Sequence, residues 1–158
     1  MQVNSNALPV QKQAPPAPLA PDFERIPAEL KAVPTWVLWR LEEREGKLAK
    51  VPRMITGKAA SSTDPSTWAG FEAVRITHNK GGFSGIGFVF ADDGPFCGVD
   101  FDHVRDAETG AWDPEAKAAI RELGSYAELS PSGTGAHVIL RVRDKSGLKG
   151  LRAGRVEF

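Results

Sequence analysis

Short stretches of alternating or continuous apolar residues dominate the chain, and this pattern predicts mainly β-strands. The stretches 36–43 and 48–52 are rich in β-branched and aromatic residues, and a glycine-containing turn separates them. That arrangement is typical of a β-hairpin. Five further stretches of similar composition are also predicted as strands: 85–90, 96–102, 126–130, 137–143 and 155–158.

Two Asp-Pro pairs predict where helices begin, because aspartate caps a helix N-terminus and proline suits the first helical position. The pair at 64–65 predicts a helix to about residue 78 with Trp68 on its buried side. The pair at 113–114 predicts a second helix, which Gly124 closes. Strands mixed with helices indicate an α+β fold, with a mixed, largely antiparallel sheet and flanking helices.

The chain divides by composition into two parts. Residues 1–22 are rich in proline, alanine and glutamine without periodicity, which predicts a disordered arm. Residues 23–158 have the length of a single domain. Neither a membrane-spanning stretch nor a signal peptide is evident, and there is one cysteine. These features predict a cytoplasmic protein without a membrane partner.

Charge is distributed unevenly, although the formal net charge is zero. Residues 91–115 carry eight acids and one base, a net charge of −7. Residues 141–155 carry six bases and one acid, a net charge of +5. An acidic centre beside a basic segment suits a site that holds cations and also binds a polyanion. Two solvated loops would give the same distribution.

Asp100 and Asp102 are the first candidate functional residues. In a strand over 96–102, Val99 and Phe101 point to one face and the two aspartates to the other. Their carboxylates, roughly 6.5 Å apart along the strand, repel each other unless cations lie between them. Oxygen ligands suit Mg²⁺ or Mn²⁺, and a pair of such ions suits displacement at phosphorus. An ordinary exposed strand end would carry the same short pattern.

The segment 130–137 is the second candidate, because its glycines and hydroxyl groups allow backbone N–H groups to converge on an anion. Ser132 and Gly133 lie in this loop, and His137 begins the strand that follows. Arg141 and Arg143 share the strand face of His137, so all three side chains can contact phosphates. A flexible hairpin loop with a structural histidine is the alternative.

The last four residues alternate in the same way. Val156 and Phe158 are predicted to face the core, and Arg155 and Glu157 to face the other side. Glu157 can therefore join the two aspartates as a third oxygen ligand. Arg155 adds to the basic residues expected to contact DNA.

These motifs follow one another in a specific order, and together they resemble the archaeo-eukaryotic primase superfamily. GIGFVF leads into CGVDFD, then SPSGTGAH, then a strand and the final glutamate. The resemblance is closest to the primase–polymerase domains of phages, plasmids and integrated elements. It extends upstream to K-x-P at Lys50 and D-P-S-T-W at 64–68, and it covers about residues 26–158.

The resemblance implies a catalytic core related to the RNA-recognition-motif fold, and roles for individual residues. Asp100, Asp102 and Glu157 match the catalytic acids that bind Mg²⁺ or Mn²⁺ in the family. His137 matches a histidine that contacts the phosphates of the incoming nucleotide, and Ser132 and Gly133 fall in the loop before it. Lys50 and Arg53 are expected to contact phosphate or template.

The implied reaction is nucleotidyl transfer on a DNA template, in replication of a phage, plasmid or mobile element within the cytoplasm of a bacterial or phage-infected cell. The implied partners are DNA, nucleoside triphosphates and a helicase module in the full-length protein. Because family domains continue past the third acid, we expect a catalytic domain incomplete at its C-terminus, with little activity alone. Two other functions fit the same residues: a metal-dependent nuclease, or a non-catalytic replication initiator or single-stranded DNA-binding module.

Overall fold

The structure is a computed structural model, and it describes residues 17–145 together with the backbone of 152–153 and 156–157. Within this part of the chain, the fold is α+β with antiparallel sheets, as the sequence predicts. The elements in chain order are α1 (Ala28–Lys31), β1 (Trp36–Arg44), β2 (Lys47–Arg53), a short 3-10 helix (Pro65–Thr67), α2 (Phe71–Asn79), β3 (Gly85–Phe88), β4 (Phe96–Phe101), α3 (Pro114–Leu123), β5 (Tyr126–Leu129), β6 (Ala136–Arg141), β7 (Arg152–Ala153) and β8 (Val156–Glu157).

The strands form two sheets where the sequence suggested one. The first sheet has the order β2-β1-β3, and it contains the predicted hairpin of β1 and β2. Glu45 and Gly46 join these strands with φ values of 51° and 74°, the left-handed conformations that a two-residue hairpin turn requires. The hairpin is therefore confirmed, together with its glycine-containing turn.

The second sheet has the order β5-β6-β4-β8-β7, and all the pairs among these strands are antiparallel. The stretches predicted at 96–102 and 137–143 correspond to β4 and β6, each slightly shorter than expected. The predicted strand at 155–158 corresponds to β8, while residues 155 and 158 lie outside the described residues. The strand β7 was not predicted, because two residues are too few to show an alternating pattern.

The helix predicted over 65–78 is interrupted, and this part of the prediction is wrong. Asp64 caps only the short 3-10 helix, through a hydrogen bond from Ser66 N to its carboxylate. The chain then extends, because Ala69 exchanges two backbone hydrogen bonds with Trp36. Trp68 donates from its indole to the carbonyl of Ser61. The helix α3 begins and ends as predicted, with Asp113 as its cap and Gly124 at φ 57° after it.

Two apolar clusters hold the sheets in place. The first lies between the three-stranded sheet, α1 and α2, and it includes Phe96 and Ile139 from the five-stranded sheet. The second lies between the opposite face of the five-stranded sheet and α3, and it includes Val99 and Val138. The face of the five-stranded sheet that carries Phe96 is therefore apolar and covered near Phe96. The same face is open to solvent near the C-terminal end of β4.

The segment before α1 contacts the rest of the fold. Residues 1–16 of the predicted arm lie outside the described residues, so the arm stays a prediction there. Leu19 N donates a hydrogen bond to the carbonyl of Pro131, in the loop between β5 and β6. The helices in the described part of the chain are all too short or too polar to cross a bilayer.

Candidate functional site

Four polar positions form a row across one face of the five-stranded sheet. The strand register pairs Glu128 with His137, His137 with Asp100, and Asp100 with Glu157. Residues directly opposite each other in an antiparallel pair point to the same face and have Cβ atoms about 5 Å apart. The row therefore brings three residues predicted as functional to neighbouring positions on β6, β4 and β8. For Glu157 the structure describes the backbone position alone.

His137 lies between two carboxylates of this row. Its Nε2 is 3.7 Å from Oδ1 of Asp100, and its Nδ1 is 3.4 Å from Oε1 of Glu128. The side chains are partly open to solvent, with exposures of 31% for His137, 56% for Asp100 and 44% for Glu128. One imidazole thus separates two acids, and neither acid is buried away from a ligand.

Tyr126 completes the arrangement from the side of the core. Its hydroxyl donates to Oε2 of Glu128 at 3.0 Å. Burial of the phenol, together with the nearby negative charge of Glu128, raises the pKa of Tyr126 well above its usual value. The phenol therefore keeps its proton at neutral pH and acts as a hydrogen-bond donor to the carboxylate.

Asp102 lies just beyond the regular strand. β4 ends at Phe101, one residue earlier than predicted, and Asp102 occupies the following turn, where His103 has φ 52°. The alternation predicted from the sequence is confirmed for Asp100, because Val99 and Phe101 are buried on the α3 side. It does not fix the direction of Asp102, which is exposed after the strand end.

The described residues contain no group of three or more His, Cys, Asp and Glu side chains arranged to hold a metal ion. The third predicted ligand, Glu157, lies outside that search because its side chain is not described. The metal site expected from the sequence therefore stays a prediction. What the structure describes of it is the backbone pairing of Asp100 with Glu157.

The loop 130–135 lies against the end of β4. Gly133 has φ 74°, which favours glycine, and a Cβ added at Gly135 would overlap the carbonyl oxygen of Phe101. The N–H groups of both glycines donate to Ser130, at its carbonyl and its hydroxyl respectively. The N–H groups of these two glycines, which the sequence suggested could bind an anion, thus form hydrogen bonds within the loop instead. The hydroxyl of Ser132, between those of Ser130 and Thr134, is at its surface.

Arg105, which the sequence motifs did not single out, anchors this loop. Its Nη1 donates to the carbonyl of Gly133 at 2.8 Å, and its backbone N–H donates to the carbonyl of Thr134 at 2.9 Å. The guanidinium group also lies over the ring of Trp112. Arg105 therefore joins the turn after Asp102 to the loop before His137. Its isolated position in the sequence gave no signal of this long-range contact.

Lys50 and Arg53 lie on β2 of the other sheet, three residues apart and therefore on opposite faces of the strand. The ammonium group of Lys50 lies 5.6 Å from the ring centroid of Trp39. The guanidinium group of Arg53 forms an ion pair with Glu42. The structure does not bring these two cations together.

Of the three arginines predicted to contact DNA, Arg141 and Arg143 do not belong to the polar row. Arg141 lies four residues beyond His137 on β6, paired with Glu29 at 3.3 Å and positioned over the ring of Phe96. Arg143 is exposed beyond the end of β6. Arg155 lies outside the described residues.

A cleft of about 400 Å³ adjoins the row. Its walls come from both sheets and from the segment before α1, and they include Trp36, Ile86, Tyr126 and Glu128. Because Tyr126 and Glu128 belong both to the cleft and to the row, a ligand in the cleft would lie beside the polar side chains.

Comparison with known proteins gives one informative similarity. A DNA primase–polymerase of Nitratiruptor phage NrS-1 is 38% identical to this chain over 105 residues. The aligned region is 66% of this chain and 14% of the phage protein, so the chain spans a small part of that relative. No model of a protein family matches the chain. Over the aligned residues, the similarity confirms the resemblance to a phage-type primase–polymerase that the sequence motifs predict.

Proposed function

We propose that this chain carries out metal-dependent nucleotidyl transfer on a DNA template, as a primase or polymerase in the replication of a phage, plasmid or mobile element. The observation that carries the proposal is the position of Asp100, whose neighbours across the sheet are His137 on one side and Glu157 on the other. The similarity to a protein named DNA primase–polymerase supports the same function.

The residues around Asp100 fit a divalent cation in their donor chemistry. The carboxylate is more than half exposed, and the imidazole Nε2 of His137 lies 3.7 Å from it. Asp100, Asp102 and Glu157 would supply oxygen ligands, which Mg²⁺ and Mn²⁺ prefer. Two such cations, when bound, would neutralise charge on the triphosphate and lower the pKa of the attacking hydroxyl.

His137 would bind the phosphates of the incoming nucleotide. It lies beside Asp100, so a triphosphate held at the acids comes within reach of the imidazole. The exposed hydroxyl of Ser132, in the loop that precedes His137, adds a donor for a phosphate oxygen. Gly133 lets the loop turn, with φ 74°, and Gly135 lets it approach β4.

The reaction joins the 3′-hydroxyl of a primer, or of a first nucleotide, to the α-phosphorus of the incoming triphosphate, and pyrophosphate leaves. The residues of the row position the triphosphate, and positioning with electrostatic stabilisation supplies most of the rate enhancement in such reactions. The adjoining cleft has a volume in the range of small-molecule sites and would take the nucleoside part.

The partners in this proposal are a DNA template and nucleoside triphosphates, with a helicase module in the full-length protein. Arg141 and Arg143, on and just beyond β6, would contact the phosphates of the DNA, as would Arg155. Because Arg141 is paired with Glu29, it would exchange a carboxylate for a phosphate when DNA binds.

Primer extension with Mn²⁺ tests the proposal, in parallel with calorimetric titration of a triphosphate into the same chain. Asp100→Asn should abolish incorporation and metal-dependent triphosphate binding. The matched control is Asp93→Asn, which removes the same charge from an exposed turn of the same acidic segment and should leave both unchanged. DNA binding that is independent of metal, without incorporation, would instead favour a non-catalytic binding module. Cleavage of DNA without any triphosphate requirement would favour a nuclease.

A further inference from the structure

Glu128 belongs to the polar row but to none of the motifs that indicate function. It lies on the edge strand β5, directly opposite His137. An exposed acid on an edge strand does not by itself indicate a function. Its two carboxylate oxygens have different partners. Oε1 is 3.4 Å from Nδ1 of His137, and Oε2 accepts a hydrogen bond from Tyr126 at 3.0 Å. The glutamate is thus held from the core side and contacts the histidine on the other.

We infer that Glu128 is a positioning residue, which fixes the ring of His137 so that Nδ1 faces β5 and Nε2 faces Asp100. This inference rests on the proposed function, because the orientation matters only if Nε2 meets a ligand held at Asp100. It assigns Glu128 no contact with the substrate. Its effect passes through the imidazole.

The chemistry of the two groups determines the direction of the hydrogen bond. An ionised carboxylate can only accept, so Nδ1 must carry the proton in the Glu128–His137 contact. That bond selects both the tautomer and the rotation of the ring. Nε2 then faces Asp100, 3.7 Å from its carboxylate oxygen. When Nε2 also carries a proton it can donate to a phosphate oxygen held at Asp100, and without that proton it can only accept a hydrogen bond or bind a cation. Carboxylates commonly hold metal-binding histidines in this way.

Tyr126 makes the glutamate a fixed acceptor. Its ring packs against the apolar cluster that contains Trp36 and Ile139, so its hydroxyl has a defined position. Burial first, and then the charge of Glu128, raise the pKa of Tyr126, which keeps the hydroxyl protonated. A line of contacts therefore runs from the core through Tyr126, Glu128 and His137 to Asp100.

Nucleotide affinity gives the first test, by calorimetry with a nucleoside triphosphate and Mn²⁺. Glu128→Ala should weaken triphosphate binding by about tenfold, the lower end of the usual effect of losing a carboxylate behind a metal-binding histidine. Glu128→Gln keeps an oxygen acceptor and should lose less triphosphate affinity. Tyr126→Phe should lose the least affinity, because it removes only the hydroxyl that donates to Glu128. The matched control is Glu122→Ala, at an exposed position on α3.

The ring nitrogen signals of His137 give the second test, measured by NMR without metal or nucleotide at one fixed pH. We expect a protonated Nδ1 in the wild type, and a mixture of tautomers in Glu128→Ala with the rest of the spectrum retained. Unchanged ring signals in Glu128→Ala would overturn the inference, whatever the affinities. A changed ring with unchanged triphosphate affinity would overturn its functional part. If the wild type binds no triphosphate, the proposed function fails, but the ring signals still decide the role of Glu128.

Discussion

Charged side chains are arranged differently on the two sheets. In the three-stranded sheet, Arg53 is paired with Glu42, and Lys50 lies over the ring of Trp39. In the five-stranded sheet, the acids Asp100 and Glu128 flank a single histidine. Opposite charges in contact favour the folded chain without any ligand. Acids gathered on one face repel each other, and the repulsion is relieved when a cation binds. The difference favours the five-stranded sheet as the proposed functional surface and a structural role for the hairpin.

The largest effect is expected from Asp100→Asn, which keeps the shape of the side chain and removes its charge. Nucleotidyl transfer should fall by at least about 100-fold. Replacing even a residue that only hydrogen-bonds to a metal ligand commonly lowers metal affinity or activity by about 10- to 100-fold. The thermal midpoint should stay the same or rise, because repulsion within the row is reduced. Parallel activity and melting curves check this, and a loss of activity that only follows unfolding would contradict it.

His137→Ala should weaken triphosphate binding more than metal binding. Loss of a charge-assisted hydrogen bond costs about 1.5–3 kcal/mol, which corresponds to a decrease in affinity of roughly 10- to 150-fold. Calorimetric titrations of metal alone and of triphosphate with metal separate the two effects. Equal triphosphate affinity in the wild type and the variant would return His137 to a structural role.

Arg105→Ala should have a smaller effect, which passes through the loop 130–135. The replacement removes the hydrogen bond to the carbonyl of Gly133 and leaves the backbone bond to Thr134 in place. We expect a loss of about 1 kcal/mol in the free energy of unfolding, together with a few-fold weaker triphosphate binding. Arg105→Lys keeps the charge, and its comparison with Arg105→Ala shows how much the guanidinium geometry contributes. Denaturant titrations that leave both variants equal to the wild type would exclude the anchoring role.

The smallest effect is expected in the three-stranded sheet and depends on pH. The hydrogen bond from Arg53 lowers the pKa of Glu42 below its usual value, although partial burial opposes the shift. A carboxyl group with a lowered pKa in the folded chain stabilises the fold above its unfolded pKa, and this contribution is lost as the pH falls below that value. Glu42→Gln should therefore be less stable than the wild type at neutral pH, and the two should converge in acid. Triphosphate binding by Glu42→Gln should match the wild type, which distinguishes this sheet from the other.

Local sequence signals predicted the parts of the fold that depend on neighbouring residues. The Glu45-Gly46 turn, the Asp113 cap and the alternation around Asp100 all have short-range causes, and the structure contains each of them. The interrupted helix was missed because its cause is remote: Ala69 pairs with Trp36, more than thirty positions earlier.

The candidate site divides in the same way. Asp100 and His137 could be chosen as candidates from the sequence, because each lies in a short motif with a clear chemical meaning. Glu128 and Arg105 could not, because their roles come from contacts across strands and loops, to His137 and to Gly133. Lys50 and Arg53 share a strand but face opposite sides of it, which their spacing of three residues already implies.

Paramagnetic broadening by Mn²⁺ tests most directly the claim that the five-stranded sheet holds the cation. Mn²⁺ would be added in small amounts to the isotope-labelled chain with a triphosphate, and the backbone amide signals would be followed by NMR. The account predicts selective broadening at Asp100, Glu128 and His137, with the signals of Glu42 and Arg53 in the hairpin retained. Asp100→Asn should abolish the broadening, and Asp93→Asn should not. Broadening centred on the hairpin, or the same broadening in Asp100→Asn as in the wild type, would contradict the account.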